Sequence, residues 1–491
     1  MGWLGSIGEE EPTPMAIQYD TADHASRPLV VVANRLPVSQ GEDGWHTSAG
    51  GLVTALRPVI AETGGAWIGW DDDADEVPRR VEGLAADLHA VSLTADEVAG
   101  HYHGFSNRTL WPLFHDLVVQ PVIDRSSWEA YEAVNHRFAA VAAEVVAAHD
   151  EPPLLWVQDY HLMLLPDLLR RISPGSPIGF FLHIPFPPPE LFARLPWRDR
   201  LLQGMLAADS VGFHTARYRD NFVRTVQQLF TGVTSLGDTI VLPDGRQVRA
   251  VAHPISIDAG EFADLATQPE TEKELSDLRE QFAGRRVFLG VDRLDYTKGI
   301  RHRLQSIELL LEQHPELARE IAFVQIAVPS RDDVQEYREL RTEVETEVGR
   351  INGRFTEPGH DVPVHYFYRG VPRTSLAAYY RLADVMCITP LKDGMNLVAK
   401  EFVTVQAAAN EAGVLLLSEF TGAAQEFEPN ALRCNPFDVE GTSQMMAQAL
   451  TLDEDDRRER IGRMAEAVRS CDVFRWVSDE LTDIERGHSA P

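Results

Sequence analysis

Val287-Phe288-Leu289-Gly290-Val291-Asp292-Arg293-Leu294-Asp295-Tyr296-Thr297-Lys298-Gly299 is an apolar run that passes without a break into a charged loop. A nearly continuous apolar stretch of this length marks a strand covered on both faces, as in a parallel sheet. Ligands of open parallel sheets lie beyond the carboxyl ends of the strands, which is where this loop falls. Arg293 and Lys298, five positions apart, can converge there on one anionic group. A planar fork beside a point charge suits a diphosphate. Two other readings stand beside this one. The segment can be a solvated loop with unpaired charges, or Lys298 can be a Schiff-base lysine for pyridoxal phosphate, although no pyridinium partner and no separate phosphate loop accompany it.

The same alternation extends in both directions. Downstream lie the runs Ile321–Gln325, His365–Phe367, Val385–Ile388 and Val414–Leu417; upstream lie Leu29–Ala33, Leu154–Val157, Ile178–Leu182 and Val211–Phe213. Helical patterns separate them, among them a long Ala-rich stretch over Trp128–His149. Strand alternating with helix implies doubly wound α/β sheets. The pattern pauses near Val251-Ala252-His253-Pro254, so two such domains are expected across a deep cleft, hinged near His253–Asp258. A length of 491 residues fits two domains better than one. The expected division is a mobile, acidic tail over 1–27, a first domain over 28–254 and a second over 255–469.

Hydrophobic residues make up 44% of the chain, enough for sizeable cores, and the formal net charge is -30. That field repels nucleic acid and acidic membrane surfaces, so an anionic ligand must be held by local Arg and Lys residues. Cys387, Cys434 and Cys471 are far apart, odd in number and without metal-ligand spacing. They fit a reducing cytoplasm, with Cys387 as a core residue. No apolar run reaches the about 18 residues of a membrane span, and the start of the chain lacks the regions of a secretory signal. Met1-Gly2 with Ser6 matches a short acylation pattern, but Glu9-Glu10-Glu11 opposes an anionic lipid surface. The expected location is cytoplasmic.

The strand ends carry the chemistry. Thr389-Pro390-Leu391-Lys392-Asp393-Gly394-Met395-Asn396-Leu397-Val398-Ala399-Lys400-Glu401 reads as a strand ending at Pro390, a tight turn at Gly394 and a helix starting near Asn396. The free N–H groups of that helix start face an incoming phosphate. Asp393 is placed to accept from sugar hydroxyls, and Glu401, about one turn in, from a ribose. In the first domain, Asn34-Arg35 ends a strand and Ser48-Ala49-Gly50-Gly51-Leu52 opens a helix closely approachable by a ligand. Asp159 in Gln158-Asp159-Tyr160-His161 and His183 in His183-Ile184-Pro185-Phe186-Pro187 each follow a strand and face the same cleft.

Taken with Phe105-Ser106-Asn107, Leu110-Trp111-Pro112 and Pro329-Ser330-Arg331, these strings closely resemble the trehalose-6-phosphate synthase family (glycosyltransferase family 20), in order from about Leu29 to Phe420. The resemblance implies a GT-B enzyme that moves glucose with retention from a nucleotide-diphosphate glucose to glucose 6-phosphate, the first step of trehalose biosynthesis. It implies that Arg35, Tyr102, Trp111 and Arg331 hold the acceptor phosphate and that Asp159 orients the acceptor sugar. Arg293 and Lys298 then hold the donor diphosphate, with Gly51 and Gly394-Met395-Asn396-Leu397-Val398 beside it. Glu401 takes the ribose, and His183 and Asp393 the donor glucose. Asp159, His183, Arg293 and Lys298 form the catalytic set. No cofactor or metal, no protein nucleophile, a homo-oligomer, and a C-terminal segment over 470–487 that crosses back onto the first domain are also implied. The donor base, uracil, adenine or guanine, stays open.

Lys392 stands where many relatives have Arg, at an expected non-contacting position, and the tail before Leu29 has no counterpart in the family core. Three rival readings remain. Asp71-Asp72-Asp73 resembles the acidic motif of metal-dependent transferases, although its setting reads as a solvated loop. A glycosidase needs a carboxylate pair and has no use for a diphosphate clamp. A silent sugar-phosphate sensor typically loses site residues that this chain keeps.

Overall fold

The computed structural model describes residues 27–41, 44–47, 65–72, 76–84, 86–331 and 334–489. The acidic tail with its acylation pattern, the Ser48-Ala49-Gly50-Gly51-Leu52 turn and Asp73 lie outside the described residues.

The apolar runs pair into two sheets. The first has nine strands, in the spatial order Asp87–Val91, Ala66–Trp70, Leu29–Arg35, Leu154–Gln158, Ile178–Leu182, Ser210–Phe213, Gln247–Ala252, Thr239–Val241 and Thr234–Leu236. The strands from Asp87–Val91 to Gln247–Ala252 are parallel, and the last two fold back antiparallel. The second sheet is parallel throughout: Val364–Tyr368, Ile321–Val328, Arg286–Arg293, Val385–Ile388, Val414–Ser418 and Leu432–Cys434. Helices cover both faces, as sheets buried on both sides require.

The first strand runs Leu29–Arg35 and ends at Asn34-Arg35 as expected, with Leu36 N donating to Trp70 O at 3.2 Å just beyond it. Several other expectations are corrected here. The strand expected to end at Pro390 stops at Ile388. The pause read at Val251 is itself part of a strand, Gln247–Ala252, paired in parallel with Ser210–Phe213. Trp67-Ile68-Gly69-Trp70 is a fully buried strand. The long helix is Arg125–Ala147, begun by Asp124, whose carboxylate accepts from Ser127 N at 2.8 Å.

Between the sheets the chain runs through 253–258 without regular structure until Asp258 caps the helix Ala259–Ala266. After the second sheet, the helix Val473–His488 returns to the first. Its start is tied to the linker by Val473 N donating to Ile257 O at 3.0 Å, and His253 Nε2 lies 2.8 Å from Asp483 Oδ2. Trp476 packs on Trp156 and Phe181, ring centroids 5.2 and 5.0 Å away. Two glycines on neighbouring strands let this helix sit down. A Cβ on Gly179 would come within 2.2 Å of Ile484, and one on Gly212 within 2.6 Å of the Glu480 carboxylate.

Glu480 is buried, and its Oε1 has no hydrogen-bond partner among the described residues. Burial pushes its pKa up to about 8; His253 opposes the rise, and Asp483 and Asp479 add to it. The native state therefore keeps this proton at pH values where the unfolded chain has lost it. The associated stability is full below about pH 4.5 and is lost as pH rises to about 8. Glu480→Gln is expected to melt increasingly above the wild type as pH is raised from about 5 to about 8. A melting-temperature difference that does not change with pH would contradict this.

Candidate active site

The two sheets turn the carboxyl ends of their parallel strands toward each other, and a cavity of about 400 Å³ lies between them. From the first sheet come Asn34 and Arg35, Gln158 and Asp159, and His183; from the second come Arg293, Lys298, Arg331, Asp393 and Gly394. Tyr102 enters from a π-helical turn, Val98–Leu110, and Trp111 from the helix that follows it. Three non-glycine residues in the left-handed region stand at these strand ends: Asp159 (φ 73°), Arg331 (φ 52°) and Asn396 (φ 104°). Such backbone costs about 1–3 kcal/mol per residue and persists where the surroundings impose it.

Arg331 and Arg293 converge on Trp111, their guanidinium carbons 4.1 and 5.5 Å from its ring centroid. Behind them is Asp295, fully buried, with Oδ2 3.5 Å from Arg331 and 3.9 Å from Arg293. Its Oδ1 accepts from Thr297 N and Oγ1 at 3.0 and 2.9 Å, and its Oδ2 accepts from Tyr337 OH at 3.0 Å. Burial opposes its ionisation, but Arg331, Arg293, the Thr297 N–H and Lys298 hold its pKa down to about 2. Arg331 also donates to the hydroxyls of Tyr337 and Tyr160. Arg331 Nε and Trp111 Nε1 are buried donors with no acceptor among the described residues. Two buried N–H groups at a guanidinium-lined wall are what an anion satisfies. Arg35 approaches the same end, stacked 3.6 Å over Trp70 and bound to Asp72 at 3.0 Å. Asp72 is thus exposed but paired, rather than simply solvated as the sequence reading had it.

At the other end Lys298 Nζ lies 2.7 Å from Asp393 Oδ2, and Asn396 Nδ2 donates to the same oxygen at 3.1 Å. Asn396 Oδ1 accepts from Ala399 N and so caps the helix Leu397–Ala408. Gly394 is irreplaceable by volume, since a Cβ there would stand 2.5 Å from His183 O. His183 Nε2 lies 2.9 Å from Gln158 Oε1, and burial lowers its pKa to about 3, so the ring is neutral. Asp159 Oδ1 accepts from His183 N at 3.1 Å; burial raises its pKa to about 7 against the pull of the Tyr160 and His183 N–H groups, Arg331 and Arg293.

The cleft lining thus brings together Arg35, Tyr102, Trp111, Asp159, His183, Arg293, Lys298, Arg331, Asp393 and Gly394. Met395, Asn396, Leu397, Val398 and Glu401 stand behind it. Met395 is buried in the core, Leu397 and Val398 pack against that core, and Glu401 Oε2 accepts from Tyr380 OH at 2.7 Å. Lys392 Nζ lies 2.7 Å from Asp116 Oδ2 and ties the loop after Val385–Ile388 to the first domain. Sequence reasoning passed over His115, which lines the cleft beside Trp111, and over Asp295 and Tyr337, which hold Arg331. Gln158 had its signal in directly preceding Asp159 at a strand end.

Two doubly wound sheets facing each other across a cationic cleft between their carboxyl ends make the GT-B architecture. The sequence profile of glycosyltransferase family 20 matches residues 27–486. Trehalose-6-phosphate synthases of Mycobacterium sp. (strain KMS) and Mycobacterium bovis are 44% and 42% identical to the chain, over 94% and 96% of it and 96% and 97% of their own length. Among solved structures, an α,α-trehalose-phosphate synthase (UDP-forming) from Burkholderia vietnamiensis superposes with a TM-score of 0.87 at 37% identity, covering 94% of this chain and 98% of that one. An E. coli trehalose-6-phosphate structure with bound UDP-2-fluoro glucose gives 0.85 at 34%, covering 94% and 99%. A Burkholderia xenovorans enzyme in complex with glucose-6-phosphate gives 0.83 at 35%, covering 93% and 100%. The chain belongs to glycosyltransferase family 20.

Removing one partner of a buried ion pair strands the others, at a cost of about 3–5 kcal/mol. Asp295→Asn is therefore expected to lose about 3 kcal/mol in urea unfolding. An unchanged unfolding midpoint would remove Asp295 from its anchoring role.

Proposed function

We propose that the chain transfers glucose from a nucleotide-diphosphate glucose to glucose 6-phosphate, releasing the nucleotide diphosphate and forming α,α-trehalose 6-phosphate. The observation that carries this reading is the gathering of four cations, Arg35, Arg293, Lys298 and Arg331, in one cleft of a chain with net charge -30. Two anionic ligands fit such a cleft. The ligands named for the relatives, UDP-2-fluoro glucose in one and glucose-6-phosphate in another, are anions of that kind.

Arg331, Trp111, Tyr102 and Arg35 take the acceptor phosphate. Arg293 and Lys298 take the donor diphosphate, with the N–H groups that start Leu397–Ala408 beside it. The side chains at the reacting centre favour transfer without a protein nucleophile. Both carboxylates there are engaged: Asp393 is held by Lys298 and Asn396, and Asp159 accepts from His183 N. The acceptor hydroxyl oxygen bonds to the anomeric carbon as that carbon's bond to the diphosphate oxygen breaks. The hydroxyl proton passes to the departing phosphate oxygen on the same face, so configuration is retained. Arg293 and Lys298 stabilise the charge building on the leaving group, which is the work a metal does elsewhere. Turnover in excess chelator is therefore expected to be unchanged.

Nucleotide diphosphate release from UDP-, ADP- and GDP-glucose, each with and without glucose 6-phosphate, tests the reaction. Release that needs glucose 6-phosphate, falls at least about a hundredfold in Lys298→Ala, and shows a raised acceptor KM in Arg331→Ala is the expected result. No release with any donor would overturn it.

Burial raises the pKa of Asp159 to about 7, and its carboxyl is a strong, charge-assisted acceptor for a sugar hydroxyl when ionised. Well below that pH the ionised fraction falls about tenfold per unit, so kcat/KM is expected to decline on the acid side. Asp159→Asn should be slow and flat over the same range. A wild-type profile level down to about pH 5 would exclude this role.

A further inference from the structure

At the amino-terminal end of the second sheet's strands, a cavity of about 360 Å³ opens beside the start of the central strand Val385–Ile388. It lies between the C-terminal ends of Pro269–Gln281, Arg373–Leu382 and Leu397–Ala408 and the first turn of Glu454–Ser470. Arg279, Arg381, Arg457 and Arg458 line it.

Helix C-termini attract cations, and this explains part of the cluster. Arg381 Nη1 donates to Ala266 O at 2.9 Å, and Arg458 Nη1 donates to Asn410 O at 2.6 Å. It does not explain Arg457, which stands in the first turn of its helix, where the dipole repels a cation. The Nε atoms of Arg457 and Arg381 are both buried with no acceptor among the described residues. Of the carboxylates in the wall, Asp384 is turned away, bound to Arg286 Nε at 2.6 Å and Val287 N at 2.8 Å. Glu411 is shared between Arg279 at 2.9 Å and Arg381 at 3.4 Å, and Glu454 is paired with Arg458. Arg381 is paired with Glu272 as well, so Arg279, Arg381 and Arg458 each have a carboxylate partner and Arg457, among the described residues, has none.

We propose that this cavity is a second anion-binding site, which takes the phosphate group of a small phosphorylated metabolite on Arg457 and Arg381. Guanidinium forks with buried, unmatched N–H donors bind phosphate in preference to a neutral ligand, and the cavity has room for a small organic body behind it. The site is wired to the donor side. Gln406, in its wall, donates to Tyr380 O at 2.6 Å, and Tyr380 OH donates to Glu401 at 2.7 Å. Glu401 and Gln406 share the helix capped by Asn396, which spans about 18 Å. Resting on the reading of that helix as the donor side, the bound anion changes the KM for the nucleotide sugar and leaves that for glucose 6-phosphate unchanged.

Inorganic phosphate and glycerol 3-phosphate are titrated calorimetrically into the full-length protein carrying Arg293→Ala, Arg331→Ala and Asp295→Asn together, which silences the cleft and strands no buried charge. One remaining site is expected, weakened at least tenfold by adding Arg457→Ala and partly restored by Arg457→Lys. Tighter binding of the ester identifies an organic phosphate, and equal binding the free ion. No binding, or binding indifferent to Arg457→Ala in protein with an unchanged melting curve, overturns the proposal. In the otherwise wild-type enzyme, the ligand is expected to shift the donor KM at least threefold, and Arg457→Ala to abolish the shift. Binding without that shift overturns the coupling alone. Absence of glucosyl transfer would count against the proposed reaction and leave the binding result intact.

Discussion

Asp295 carries a charge in a place where burial alone would neutralise it. It stays ionised because Arg331 and Arg293 lie 3.5 and 3.9 Å away, and those two cations can crowd against one indole because Asp295 stands between them. Neither half of this arrangement is stable without the other. Tyr337 and Thr297 complete the hydrogen bonding of the carboxylate, which ties the helix Gln335–Phe355 and the turn Tyr296–Lys298 to the same anchor. Lys298 is the last residue of that turn, so the ion pair at one end of the cleft also sets the position of the cation at the other. The cleft is charged before any ligand arrives, and little reorganisation is left for the moment of reaction.

The apolar runs made most of the fold legible. Parallel strands buried on both faces leave a strong local signal: Leu29, Leu154, Ile178, Val385 and Val414 each open such a strand, and Val287 is the second residue of another. Apart from the fully buried Ala66–Trp70, the strands that were missed have one-sided or slight burial. Thr234–Leu236 is fully exposed, and Gln247–Ala252 alternates between buried and half-buried positions. Asp87–Val91 does the same at the opposite edge. Such segments become strands because a neighbour offers its edge, and a neighbour distant in sequence leaves no local trace.

The site was legible for the same reason: residues at the ends of parallel strands face the cleft, so Arg35, Asp159, His183, Arg293 and Asp393 could be picked from their positions, whereas Arg331 came from the family resemblance alone. What could not be read was which polar residue holds which. Tyr337 lies 42 positions from Asp295 in the middle of a helical pattern, and nothing near it announces the contact. Lys392 differs in kind. Its side chain turns from the cleft to Asp116, so a residue beside the donor turn joins the domains instead of touching a ligand. Glu401 is held by Tyr380, which places it one hydrogen bond further from the cleft wall than spacing along a helix implied.

The backbone passes between the two sheets twice, once through 253–258 and once at Asp472, and the two passages are joined by the bond from Val473 N to Ile257 O. Two adjacent, mutually bonded crossings act as a door pin rather than a tether. Rotation about that line is the relative motion that paired passages resist least. Arg35 lies on one leaf, and Arg293, Lys298 and Arg331 lie on the other, so such a rotation changes the distance between the two sets of cations. The helix that returns to the first sheet is therefore a joint between the domains rather than an appendage of either.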